Sequence, residues 1–248
     1  FGVFVTLDSG DQWVKLSGGM PKIPVRDLEI QRRENDLVAA TFGRGFYVLD
    51  DYAVLRQVDA TALQEQEAKL FPVKTAELYI PEDKLGGRVG SQGSSYYSAD
   101  NPPFGAVFTF YLRDTFQTKK QQRREKEREI QKQEGDNPYP GWDAIKAEDR
   151  EVDPVVVFEI RDSKELVVDR VVGPSSAGMH RVAWELRYAP VVVRTDSETT
   201  SSRRRRRGGG PLVAPGKYRV QAFVRSGDAT KPLGEAQQFE VKNISTPT

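Results

Sequence analysis

The 248-residue sequence predicts an all-β chain in two parts, a meander of short strands followed by a two-sheet sandwich. Three observations point there. Up to residue 55, short runs of strand-forming residues are broken at close intervals by Gly, Asp and Asn turns. Beyond residue 104, longer apolar–polar alternations recur with the spacing of a sandwich. Strong helix-forming composition is concentrated in a charged stretch, residues 118–134, whose only aliphatic residue is Ile130, so it has no apolar face to bury.

In order along the chain, residues 2–6 read as a strand, Asp8 to Asp11 as a tight turn and residues 13–16 as the returning strand. Strands follow at 25–31, 36–41 and 45–50, with turns at Glu34-Asn35 and Gly43-Arg44-Gly45. Each strand then pairs with its neighbour, as in a meander. Residues 56–70 carry a short helical rhythm of Ala, Leu, Gln and Glu, and from Phe71 to Pro103 Gly, Ser, Pro and Tyr predominate, so 56–103 reads as a linker with a short helix. The second part, 104–248, has strands at 106–113, 154–161, 165–172, 180–187, 216–225 and 236–241, interrupted by insertions at 118–153 and 194–210. In the first insertion the charged helix projects into solvent, steadied by pairs such as Arg123 with Glu127. The second, with five consecutive arginines from Arg203 to Arg207 and three glycines, cannot repay its own ordering entropy. No aromatic residues interleave with those arginines to stack on bases.

Charge and composition remove several classes of function. The 37 basic and 36 acidic side chains nearly cancel, so no global field draws nucleic acid or an anionic membrane, and neither is expected as a partner. No apolar run is long enough to span a bilayer. Cysteine is absent, which excludes disulfides, thiolate nucleophiles and cysteine metal sites. His180 is the one histidine, so a multi-histidine zinc site is excluded and a Ser-His-Asp arrangement would rest on it alone. It shares a strand stripe with Val182, Trp184, Leu186 and Tyr188, which marks it for packing rather than chemistry. Gly43, Gly45, Gly86 and Gly87 lack the lysine and hydroxyl of a phosphate loop. Neither metal nor cofactor is expected. The opening Phe-Gly-Val-Phe-Val is a strand pattern without an initiating methionine, from which the chain is expected to start inside a fold, with any targeting signal upstream.

One octad carries more information than the rest: Thr6-Leu7-Asp8-Ser9-Gly10-Asp11-Gln12-Trp13. It sets a hydroxyl, an aspartate, a glycine and an aromatic residue at the spacing of a stapled hairpin, in which Asp8 accepts backbone N–H bonds, Gly10 takes positive φ and Trp13 packs beneath. The octad resembles the Asp-box of BNR-repeat, sortilin (VPS10)-like β-propellers. Pro24 to Leu28, Asn35 to Thr41 and Gly43 to Asp51 look like the closing blade of the bacterial members, which are often labelled glycosyl hydrolases. Asn101 to Ala106, Trp184 to Tyr188 and Ala214 to Tyr218 look like their C-terminal immunoglobulin-like, FlgD-like domain. Where such proteins commonly carry Thr-His-Gly-Arg, this chain has Thr41-Phe42-Gly43-Arg44, so any role for that imidazole is lost.

The resemblance implies that residues 1–55 are the final part of a propeller and 104–248 an immunoglobulin-like sandwich, in a secreted, periplasmic or cell-surface bacterial protein. The remaining blades, upstream or in a companion chain, would pack against the first part. Thr6, Asp8, Gly10 and Trp13 would then be structural, with no catalytic residue in this chain, while Asp27 and Arg44 are the candidates to face the propeller channel. The leading function is a structural or interaction module that binds protein or glycan. The alternatives are a glycoside hydrolase or sialidase-like enzyme, whose paired carboxylates would lie mainly on other blades, and the propeller of a peptidase-like protein.

Overall fold

A computed structural model describes residues 1–59, 63, 65–79, 99, 101–133, 135–137, 139–190, 210–226 and 229–244, and divides the chain into unit 1, Phe1–Glu65, and unit 2, Gln66–Thr248. Strands dominate both, with little helix, and the all-β expectation holds; one sheet is curled into a half-barrel.

Unit 1 begins with an antiparallel hairpin of β1 (Val3–Val5) and β2 (Val14–Leu16). A separate antiparallel sheet follows in the order β3 (Val25–Gln31), β4 (Asp36–Thr41), β5 (Phe46–Leu49). The turn residues carry the conformations that their types allow, with Asn35 at φ 60° between β3 and β4, and Gly43 and Gly45 at φ 79° and 71° between β4 and β5. Thr41 closes the second turn by donating both its amide, at 3.0 Å, and its hydroxyl, at 2.7 Å, to the Gly45 carbonyl. A 3-10 helix at Tyr52–Gln57 is capped by Asp51, which accepts from the Ala53 amide, and tied back to the sheet where the Asp51 amide donates to Asp36 at 2.9 Å. Within 56–70, where the sequence has a short helical rhythm, Leu63 and Glu65 are helical, and the end of the range, Ala68–Leu70, is a strand.

Register assigns the faces of the three-stranded sheet. Leu28–Ala39–Tyr47 and Ile30–Leu37–Leu49 lie on one side, Asp27–Ala40–Phe46 and Glu29–Val38–Val48 on the other. Among the described residues of the unit the buried apolar ones are few: Val3, Ile23, Ala39, Val54 and Leu63.

Unit 2 is built from two sheets. Its strands are β6 (Ala68–Leu70), β7 (Ala76–Leu78), β8 (Ala106–Leu112), β9 (Val155–Arg161), β10 (Val167–Gly173), β11 (Gly178–Trp184), β12 (Gly216–Ser226) and β13 (Ala229–Asn243). One sheet runs β10-β9-β12-β13-β7 and the other β11-β8-β6, every pairing antiparallel except β13 with β7. Two corrections to the sequence reading follow. Residues 68–70 and 76–78, read as linker, are strands of this unit: at three residues each they show almost no alternation, and pairing with β8 and β13 overrides their helix-prone composition. And β13 starts at Ala229 rather than 236. Pro232 and Gly234 look like a break, but they flank an irregularity in which Val220 pairs Gln237 while Ala222 pairs Leu233. The Gln221 side-chain amide fills that bulge, donating to the carbonyls of Ala222, Leu233 and Gly234. Gly234, at φ 62°, brings β13 so near β6 that a Cβ would lie 3.2 Å from the Leu70 amide nitrogen.

The core lies between the sheets and is rich in aromatics. Phe158 of β9 meets Phe108 and Phe110 of β8 at centroid distances of 5.8 and 4.8 Å, and Trp184 meets Tyr218 at 5.6 Å and Phe239 at 6.1 Å. The indole N–H donates to the Arg187 carbonyl at 3.0 Å, so the largest buried side chain leaves no polar atom unpaired. At the start of β8 the chain passes Trp184 at Gly105, φ 108°, where a Cβ would sit 2.0 Å from the Trp184 carbonyl oxygen, so only glycine fits. On the outer face of the larger sheet the buried Glu159 accepts from Arg170 and Arg161. Burial pushes its carboxyl upward, but the two guanidinium groups outweigh that and hold it below the usual glutamate range.

Between β8 and β9 lie two helices, α1 (Lys119–Lys132) and α2 (Trp142–Asp149), the second unforeseen. Thr118 and Gln121 form a capping box at the start of α1. The helix buries no residue, yet it does not simply project into solvent. Arg123 grips the buried Glu148 of α2 through Nε at 2.7 Å and Nη2 at 2.9 Å, and also pairs with Glu127 as the spacing suggested. Most of the second insertion, residues 191–209 with the arginine run, lies outside the described residues. Gly210, just after it, donates to the Tyr188 carbonyl.

Candidate functional site

The octad forms a stapled turn between β1 and β2. The Thr6 hydroxyl donates to Asp8 Oδ1 at 2.7 Å and accepts from the Gly10 amide at 2.8 Å, while the same Asp8 oxygen accepts from the Gln12 amide at 3.0 Å. Ser9 at φ 63° and Gly10 at φ 113° supply the reversal. The Gln12 amide first, and then the Thr6 hydroxyl, hold the Asp8 carboxyl below the usual aspartate range. A lowered folded value means that this contribution is complete above the ordinary aspartate pKa and is lost as pH falls through the folded one. Asp8→Ala should therefore lower the protection factors of the Gly10 and Gln12 amides at neutral pH, and acidifying the unsubstituted chain through the folded Asp8 pKa should lower them too, each taken relative to the intrinsic exchange rate at the same pH. Unchanged protection factors in both would show that the aspartate does not hold the turn.

Trp13 departs from expectation. It does not pack beneath the turn, being 63% exposed. An aromatic residue next to a tight turn signals burial only if something lies over it, and none of the described residues of unit 1 covers this one.

Asp27 and Arg44 are both exposed and are not joined to each other. Asp27, on β3 beside a register shift, accepts from the next amide, Leu28 N, at 2.9 Å. Arg44 sits in the β4–β5 turn. A contact that sequence reading missed lies nearby: the Arg26 guanidinium covers the Phe42 ring at 4.8 Å.

Asp8 and Asp51 accept from backbone amides, as Asp27 does. His180 Nε2 lies 2.7 Å from the Ser176 carbonyl oxygen, which only accepts, so Nε2 carries the proton and cannot act as base toward the Ser176 hydroxyl 3.4 Å away. Its ring packs 5.4 Å from Phe110. Among the described residues no group of three His, Asp or Glu side chains is placed to hold a metal ion. No helix among them is long and apolar enough to cross a membrane.

What unit 1 does offer is apolar surface. Val3 and Leu16 of the hairpin and Met20 of the segment after it line, with Leu37, Ala39 and Leu49 of the sheet, an apolar cavity of about 140 Å³. Leu28 and Ile30, on the same sheet face, remain exposed, and on the other face Phe46 is 75% exposed and Val48 is exposed beside it. The two edges differ. β3 carries Arg26, Asp27 and Glu29 and a register shift, the features that block edge pairing, whereas β5 reads Phe-Tyr-Val-Leu with no charge and no proline. Compared with family models and with curated proteins, the chain matches none.

Proposed function

We propose that unit 1 is part of a β-propeller of the Asp-box, sortilin-like kind and unit 2 an immunoglobulin-like sandwich, together forming a non-catalytic structural and interaction module of a secreted or cell-surface protein that binds protein or glycan. The observation that carries the reading is that large apolar side chains stand exposed on both faces of the β3–β5 sheet, Leu28 and Ile30 on one and Phe46 and Val48 on the other, where the charged residues are Asp27 and Glu29 of the edge strand β3. A sheet in a sandwich buries one face, whereas a sheet stacked between two others, as in a propeller, buries both. The stapled hairpin supports the same reading, as does the pairing-competent edge of β5, because propeller blades have four strands and this sheet has three. Further blades, from the same polypeptide or a companion, are the partners that would cover these faces.

Two features of unit 2 support the sandwich assignment. Its strands alternate between sheets so that β9 and β10 pair, β11 crosses over, and β12 returns beside β9. Tyr218, near the start of β12, donates its hydroxyl to the Ala214 carbonyl four residues upstream at 2.6 Å, the geometry of a tyrosine corner.

The function is tested by titrating panels of polysaccharides and peptides into the protein while following both binding and product release. Retention without turnover is the expected result. Turnover abolished by Asp27→Asn would replace this reading with a hydrolase.

A further inference from the structure

The charged helix α1 has two working faces. Lys120 and Arg123 point to α2, where they meet Asp149 at 3.4 Å and Glu148. A second stripe, Gln121, Arg124, Glu125 and Arg128, recurs at the spacing of one helical face and lines a different space. That space is a cleft of about 360 Å³, closed on its far side by the loop before α1 and the loop joining β10 to β11. The two loops are knitted together: the Phe116 amide donates to the Ser175 carbonyl at 3.0 Å, and the Ala177 amide donates to the Thr115 hydroxyl oxygen at 2.9 Å. Phe116 packs against the sandwich core, which anchors that wall.

Among the described residues Arg124 and Arg128 neither pair with a carboxylate nor donate a hydrogen bond, although they stand one turn apart, where like charges repel. Glu125 offsets one of them, and its carboxylate is already taken by the Gln117 side-chain amide at 2.9 Å. The cleft thus holds a net charge of one, two unused guanidinium forks and the hydroxyls of Thr115, Ser175 and Ser176.

We propose that this cleft binds an acidic saccharide, a sugar ring bearing one carboxylate or sulfate group, with Arg124 and Arg128 on the oxyanion and the loop hydroxyls on the ring. Guanidinium forks match the paired oxygens of such groups. A rim of hydroxyls and amides both donates and accepts, which suits a polyhydroxylated ring better than a peptide. The volume is that of a small-ligand pocket rather than a polymer groove, one net charge fits one oxyanion, and no exposed aromatic residue in the cleft is placed to stack on a base. The site names a ligand for the interaction role proposed above, but it lies wholly in unit 2 and does not depend on unit 1 being a propeller.

The test is calorimetric titration of the full 248-residue chain with a uronic acid disaccharide and a sulfated disaccharide, against a neutral disaccharide and sodium sulfate. The acidic disaccharides should bind and the neutral one should not. Arg124→Ala and Arg128→Ala should each weaken binding about tenfold without moving the melting temperature, Arg124→Lys should recover part of the loss, and Lys126→Ala, the same charge lost outside the cleft, should have no effect. Absence of binding by the folded chain would overturn the proposal. So would equal weakening by Lys126→Ala, sodium sulfate binding as tightly as the sugars, or tighter capture of a phosphopeptide or oligonucleotide at the same arginines. Any of these would leave the propeller reading of unit 1 standing, because that reading is measured on other residues.

Discussion

Replacing Trp184 with alanine should destabilise unit 2 by about 3–5 kcal/mol and lower its melting temperature by roughly 10 °C or more. The residue is 1% exposed, packs on Tyr218 and Phe239, and satisfies its indole N–H on the Arg187 carbonyl. Its side chain lies in the close-packed core against rings of the facing sheet, so alanine would leave a cavity that its surroundings fill only in part. The chain's other two tryptophans provide the control. Trp13 and Trp142 are 63% and 71% exposed, and their alanine variants should each stay within about 0.5 kcal/mol of the unsubstituted chain. Calorimetry of the three variants checks the ranking, and tryptophan fluorescence should show one blue-shifted emitter that disappears only with Trp184. Equal losses for Trp13 and Trp184 would mean that the burial of one of them has been misassigned.

How much of this was legible in the sequence depended on the range of the interaction involved. β3 and β4 start and end where alternation and the Asn35 turn place them, because both signals are local. The Asp8 staple was legible for the same reason: every partner lies within four residues. β6 and β7 were not, since three-residue strands are held by partners remote in the chain. The start of β13 was hidden by a proline and a glycine whose role is a bulge. Trp13 was misjudged because an aromatic residue declares that it can be buried, not that a neighbour is present to bury it.

The charged helix shows the limit most clearly. It has no apolar face and buries no residue, as read, but the expectation that it projects into solvent did not include the docking of Arg123 on α2 through Glu148, a contact that no hydrophobic pattern announces. The arginines of the cleft were hidden in the same charge run. Their significance appears only when the loop at Ser175 and Ser176, distant in sequence, is placed opposite them.

The central claim is that unit 2 carries its own complete core whereas unit 1 holds a sheet meant to be covered on both faces. Residue-resolved amide exchange on the 248-residue chain tests it most directly. Amides of β8, β9 and β12, which pair deep in the core of unit 2, should exchange only with global unfolding. Those of β3, β4 and β5 should exchange orders of magnitude faster, and should become protected when the proposed further blades are supplied, with the outward amides of β5 slowed as they gain a strand partner. Protection of β3–β5 equal to that of β9 and β12 in this chain alone would mean that the sheet is already complete, and the propeller reading would be wrong.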